Sequence, residues 1–332
     1  MSPTPPASPT VMDARQTESV RRITEIDVLR GFALFGISIA NTIDITEMPT
    51  GASGVAYWSH ETLFDQRFFP IFSFLFGLSF GLFLDAAARR TDDPRTVMAA
   101  RLGFLVPLGA LHRLLQPREI LLTYAIIGIL VLLPASFLPA RWLLGLGAAA
   151  TAAGLAVDGG VAIIPGLFLL GLAVQRYGVE NVLGLPTGRL GIAFTLCVTA
   201  AVALNVWQIR AGGSDTWLGA LAGLVTAVSY LAALLLLLRT RAGRAVRTLA
   251  PVGRMALTCY IGATVLVVVA DQFLELGKGP DYVTAFTLGV CVFVVEMVLS
   301  ALWLRRARYG PLEWVWRSFT WWTFHPSRTT RP

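Results

Sequence analysis

Apolar runs near twenty residues long recur from Ile26 to Trp303, and each can cross a hydrocarbon core of about 30 Å. Inside a bilayer no water is available to backbone N–H and C=O groups, so each run must satisfy its own as a helix or belong to a closed barrel. A barrel would show short segments of alternating polarity, and none occur here. Charge is scarce as well, at 14% of residues against roughly 25% in soluble domains, and the mean hydropathy is +0.66. The fold class is therefore all-α: a polytopic transmembrane helical bundle. Its spans, about ten by the length rule, fall near 26–43, 68–84, 97–115, 120–137, 142–157, 161–174, 190–208, 217–238, 255–273 and 282–303.

The net charge of +7 would suit nucleic acid in a soluble chain. Here the arginines gather in alternate loops, at Arg89 to Arg95, Arg141, Arg176 to Arg189 and Arg239 to Arg254. That is the positive-inside pattern, and it places both termini on the cytoplasmic side with membrane lipids as the partners of the basic loops. The loop from Asp44 to Ser59 has acids and neither Lys nor Arg, so it faces outward. Residues 1–20, rich in Pro, Ser and Thr, read as a disordered cytoplasmic terminus with no fitting signal peptide, and 21–308 as the transmembrane domain. Residues 309–332, with Trp314, Trp316, Trp321 and Trp322, read as an interfacial aromatic helix. The two halves share no repeat.

Polar residues inside spans mark functional interiors more often than lipid-facing surfaces. On the first span Asp27, Arg30, Ser38 and Asn41 share one face at helical spacing, covering about 21 Å at 1.5 Å per residue. Asp27 and Arg30 can also simply pair at the interface. Ser73, Gly77 and Gly81 repeat every fourth residue on the second span, a close-packing pattern. Glu296 is buried in the last span and calls for a basic partner, with Arg30, Arg101 and Arg254 at suitable depth. Pro251 and Gly253 open a helix whose free N–H groups would favour an anion, set against the plainer reading of a basic topology loop.

The corner between the third and fourth spans is the sharpest feature. His112, Arg113, Arg118 and Glu119 sit there around Pro117, and the two arginines break the charge rule. A histidine facing a carboxylate at a water-accessible rim has the makings of an activated base. His60, beside Glu61 in the outer loop, is the reserve candidate. Cys197, Cys259 and Cys291 all lie in apolar spans with no CxxC or Cys/His pairing, so they read as small buried packing residues and no metal is implied.

Three stretches together resemble the YeiB-like family of bacterial membrane proteins, a domain of unknown function. The first is D-x-L-R-G-x-A-x-x-G-I, Asp27 to Ile37. The second joins Phe68–Gly77 to G-x-x-H at Gly109–His112 and I-L-x-x-Y-A-x-x-G at Ile120–Gly128. The third is G-R-M-A-L-T-x-Y at Gly253–Tyr260 with G-P-L-E-W-x-W-R at Gly310–Arg317. The chain departs from the family pattern at Arg118-Glu119, where Gly-Asp is usual, and at Gly262-Ala263, where a polar residue is common.

The family is grouped with transmembrane acyltransferases similar to heparan-alpha-glucosaminide acetyltransferase. The resemblance implies a cytoplasmic-membrane protein that moves an acyl group from cytosolic acyl-CoA, acetyl-CoA foremost, to a hydroxyl or amine on a small-molecule, glycan or lipid acceptor outside. His112 would be base or acyl carrier with Glu119 orienting it, and Asp27, Arg30, Asn41 and Arg254 would hold the cofactor. A transporter or lipid translocase using the same buried charges is the alternative, as is a non-enzymatic membrane subunit. A homo-oligomer stays open.

Overall fold

The computed structural model describes residues 11–49, 54–157, 159–211 and 217–322, with side chains from Thr24 onward. Among these residues the chain is all-helical. Its main helices are α1 (Val11–Ile45), α2 (Val55–Leu63), α3 (Phe68–Ala88), α4 (Pro94–His112), α5 (Leu121–Ile127), α6 (Ala140–Val157) and α7 (Ile164–Tyr177). After them come α8 (Thr187–Ala211), α9 (Trp217–Leu238), α10 (Ala250–Arg254), α11 (Ala256–Leu274), α12 (Tyr282–Trp303) and α13 (Pro311–Trp321). α1 begins inside the stretch read as disordered, while residues 1–10 and His325 lie outside the described residues.

Among the described residues eight segments are long and apolar enough to cross a membrane: Thr24–Ile45, Val55–Ala88, Ala140–Val157, Gly160–Tyr177, Thr187–Ala211, Trp217–Leu238, Ala256–Leu274 and Tyr282–Trp303. The two remaining expected spans differ for physical reasons. α4 is a helix of 19 residues, but Arg95, Arg101 and His112 dilute its hydropathy. The fourth is short: α5 passes through a π-helical turn at Gly128–Leu132 into Leu133–Ala135. Single π turns of this kind recur near functional sites.

The bundle is organised by close backbone crossings. A Cβ on Gly77 would stand 2.0 Å from the Phe168 carbonyl oxygen, and one on Gly171 2.0 Å from that of Phe74, so α3 and α7 touch main chain to main chain. This is the packing face anticipated from Ser73, Gly77 and Gly81. α1 crosses α10 as tightly: a Cβ on Gly253 would come within 1.8 Å of the Asp27 carbonyl oxygen, and one on Gly31 within 2.2 Å of that of Leu249. Small residues at a crossing let dispersion contacts accumulate where the hydrophobic effect between helices is absent. One apolar core joins α1, α3, α9 and α11 through residues such as Val28, Ile71, Leu75 and Leu234. A second, with Phe80, Leu102, Tyr124 and Phe168, joins α3, α4, α5 and α7. α8 buries little of its surface and faces outward. Of the cysteines only Cys259 is buried; Cys197 is half-buried and Cys291 is exposed, contrary to expectation.

Candidate functional site

The glycine crossing of α1 and α10 sets Arg30 and Arg254 beside one cavity of about 210 Å3. Arg101 from α4 joins them, so three guanidinium groups line this space, with Glu313 as a carboxylate among them. Arg30 Nη1 donates to Asp27 Oδ1 at 3.0 Å, and its Nη2 donates to the Ser79 hydroxyl on α3. The expected pair thus forms, yet Arg30 also faces the interior. Arg101 is stacked 3.6 Å from the Trp316 ring centroid and 4.5 Å from that of Phe83. The rest of the wall is mainly apolar, through Phe72, Phe76, Leu102 and Leu105, and it continues to Tyr124, Tyr260 and Ile120.

His112 stands behind that far wall. Tyr260 touches both: it lines the cavity, and its ring centroid lies 5.1 Å from that of His112. The Tyr260 hydroxyl accepts the Ile120 N–H at 3.3 Å. Thr264 Oγ1 is 2.9 Å from His112 Nε2 and donates its single proton to Gln116 Oε1 at 3.0 Å. With the Gln116 amide in this orientation the hydroxyl accepts from the histidine, and the neutral ring is the Nε2–H tautomer. Nδ1 is then the bare nitrogen. It has no hydrogen-bond partner and sits 3.7 Å from Glu119 Oε2.

Glu119 accepts the N–H groups of Leu121 and Leu122, the latter at 3.0 Å, and so caps α5 with a carboxylate at its positive end. The pairing expected across the Pro117 turn is thus a proximity short of a hydrogen bond, because the backbone of α5 holds the carboxylate. The corner is not at a water-accessible rim either: His112 is 3% exposed and Glu119 4%. Arg118, which breaks the charge rule, is exposed and pairs with Asp44 at 2.9 Å.

Other expectations fall elsewhere. His60 Nδ1 is 3.7 Å from Glu61 Oε1, its ring packs near Tyr282, and it lines neither cavity. Asn41 is absent from the arginine cavity and lines a second, much smaller one with Thr264 and Glu296. Among the described residues Glu296 finds no arginine, a correction to its expected pairing. Arg30 is held by Asp27 and Ser79, Arg101 by its aromatic neighbours, and Arg254 by the Arg308 carbonyl at 3.3 Å. The helix start after Gly253 is filled too: Glu313 Oε1 accepts from Leu257 N at 2.7 Å and Thr258 N at 3.0 Å. The anion at that N-terminus is the chain's own carboxylate, which leaves no free phosphate site there.

Sequence reasoning missed Thr264 and Gln116 as members of the site, and had Tyr124 in view only within the Ile120–Gly128 motif. Tyr260 was in view only as part of a motif, and the helical spacing from Tyr260 to Thr264 was a usable signal.

A family profile described as "Protein of unknown function (DUF418)" matches residues 174–323. An "Uncharacterized 39.9 kDa protein in amylase 3'region" from Bacillus acidopullulyticus is 31% identical, over 90% of this chain and 94% of its own. The chain belongs to the DUF418 family. It is also similar to YxaH of Bacillus subtilis (strain 168), 38% identical over 26% of this chain and 22% of that one. Similarity to YeiB of Escherichia coli (strain K12) is 36% identity over 23% of this chain and 20% of the relative. DUF418 proteins are membrane proteins of unknown function with bacterial members. The profile match takes in Arg254, Tyr260, Thr264 and Glu313, whereas Arg30, Arg101, His112 and Glu119 come from the half of the chain before it.

Proposed function

We propose that this DUF418 protein is a membrane-embedded acyltransferase that carries an acyl group from cytosolic acyl-CoA to a hydroxyl or amine acceptor at the outer side. The observation that supports this most is the single cavity with arginines at one end and the His112 wall at the other. In this reading the protein sits in the bacterial cytoplasmic membrane with both termini and the 239–254 loop inside. α4 and α5 complete ten crossings. Asp44 and Arg118 then mark the outer end, and Arg254 and Arg308 the inner.

At about 210 Å3, the cavity is smaller than the roughly 300–1,000 Å3 typical of whole-ligand sites. It suits an acylated thiol arm threaded inward, with the nucleotide phosphates left at the exposed Arg254 mouth, where guanidinium forks bind phosphate well. His112 takes the acceptor's proton at Nδ1, and the imidazolium is stabilised by Glu119 at 3.7 Å. The acceptor oxygen or nitrogen then attacks the thioester carbonyl. The C–S bond breaks, and the thiolate leaves toward the arginine end and takes a proton from water. Tyr260 must turn aside for the reacting atoms to meet.

The test is turnover of a panel of acyl-CoA donors by purified protein in lipid, with water or simple sugars and amines as acceptors. Donor-dependent release of free thiol supports the reading. No release from any donor, together with counterflow of a solute in vesicles, would replace it with a translocase.

A further inference from the structure

Glu296 is a carboxylate in the middle of an apolar helix, 6% exposed, with Oε1 buried and without a hydrogen-bond partner. Leaving a buried carboxylate oxygen unpaired is costly, so its persistence calls for an occupant or a function. It lines the small cavity between α1, α11 and α12, which measures about 10 Å3 and has room for about one water molecule. Thr264 lines that same cavity, and Thr264 is the residue that accepts the His112 Nε2–H.

We propose that Glu296 is the proton-holding partner of His112, reached through the Thr264 hydroxyl and one water. A proton leaves His112 Nε2 for Thr264 Oγ. Thr264 turns its own proton from Gln116 to the water, and the water passes one to Glu296 Oε1. When Nδ1 has gained a proton from elsewhere, this step returns the ring to neutrality as the Nδ1–H tautomer, and every atom involved keeps its valence. The step deepens the reading of His112 as base and rests on it only for the source of the Nδ1 proton.

The titratable side chains facing Glu296 across this cavity are Cys259 and Tyr260, both on α11. α1 presents Ser38, which donates to the Gly289 carbonyl, and the uncharged Asn41. Arg254 on α10 lines the other cavity, and His60 and Glu61 on α2 lie near Tyr282, about 21 Å along α12 at 1.5 Å per residue. No guanidinium lines the cavity to fix Glu296 as a permanent anion.

Infrared spectroscopy of the full chain in lipid vesicles reads this site without any substrate. The carbonyl band of a protonated carboxyl should titrate with pH in the wild type, vanish in Glu296→Gln and return, displaced, in Glu296→Asp. Its exchange with deuterium should slow at least tenfold in Thr264→Val and recover in Thr264→Ser. His112→Gln should raise the midpoint of the titration, because a nearby imidazolium favours the carboxylate. A titrating band that survives in Glu296→Gln, or wild-type exchange in Thr264→Val, overturns the proposal. Acyl-CoA turnover with either of those results would leave the acyltransferase reading standing, and the expected band behaviour without turnover would remove that reading alone.

Discussion

Arg101 and Trp316 hold each other twice. The Trp316 indole N–H donates to the Arg101 carbonyl at 2.7 Å, while the Arg101 guanidinium lies 3.6 Å from the Trp316 ring centroid. One residue is on α4 and the other on α13, so this pair, with Glu313 capping α11, ties the C-terminal helix over the arginine cavity. The aromatic segment read as interfacial is docked as well as amphipathic, with Trp322 left exposed.

Trp316→Phe keeps the stack and removes the donor. It should cost about 1 kcal/mol, the usual net worth of one hydrogen bond. Trp316→Ala should lose roughly 2 kcal/mol by adding the cation–π contact. Thermal unfolding in detergent reads both: a Trp316→Phe variant as stable as wild type would show that the indole N–H contributes nothing, and equal losses that the ring contact adds nothing.

The glycine crossings predict a sharper contrast. Gly253→Ala and Gly77→Ala each place a methyl group well inside van der Waals contact distance of a carbonyl oxygen on another helix. Overpacking of this kind costs roughly 1–3 kcal/mol or more. Gly188→Ala and Gly191→Ala, where nothing lies within 4 Å, should be neutral or slightly stabilising. Yield and melting temperature of the four variants check this, and a tolerant Gly253→Ala would mean that α1 and α10 do not cross this closely.

How much of this was legible in the chain depends on how far apart the partners are. His112 and Glu119 were predictable as neighbours because the turn at Pro117 is too short to separate them. The packing face of α3 followed from its four-residue repeat. The acceptor for His112 was harder to read, since Thr264 lies 152 positions away and only its helical spacing from Tyr260 marks it. Glu313 was hidden similarly: a carboxylate in the tail gives no sign that it will cap a helix some 55 residues before it. The misassigned partner of Glu296 shows the limit of depth matching, which orders residues along the membrane normal and says nothing about which helices adjoin.

Arg30→Ala should separate the two readings of the first-span stripe. It strands Asp27, whose side chain is 9% exposed, and removes one guanidinium from the cavity. The stability cost should be roughly 2 kcal/mol, below the 3–5 typical of fully buried pairs, because the Arg30 side chain keeps 26% of its surface. Function should fall further than in Leu34→Ala. Full activity in Arg30→Ala would reduce the pair to an interfacial anchor.

The proposed topology rests on the arginine distribution and is tested by single cysteines placed in the loops of a cysteine-free chain. An impermeant thiol reagent should label position 47 in intact cells and leave position 245 unlabelled until the membrane is opened. Labelling at 245 from outside would invert the bundle and put the arginine mouth on the wrong side for a cytosolic donor.

Acyl transfer by purified His112→Ala, beside wild type, Glu119→Gln and His60→Ala in the same lipid, bears most directly on the central claim. His112→Ala should lose at least a hundredfold, the scale of a missing general base, with its melting temperature little changed. Glu119→Gln should lose less, since the amide oxygen still caps α5. His60→Ala should behave as wild type. Transfer that persists in His112→Ala and disappears in His60→Ala would contradict the account and move the chemistry to α2.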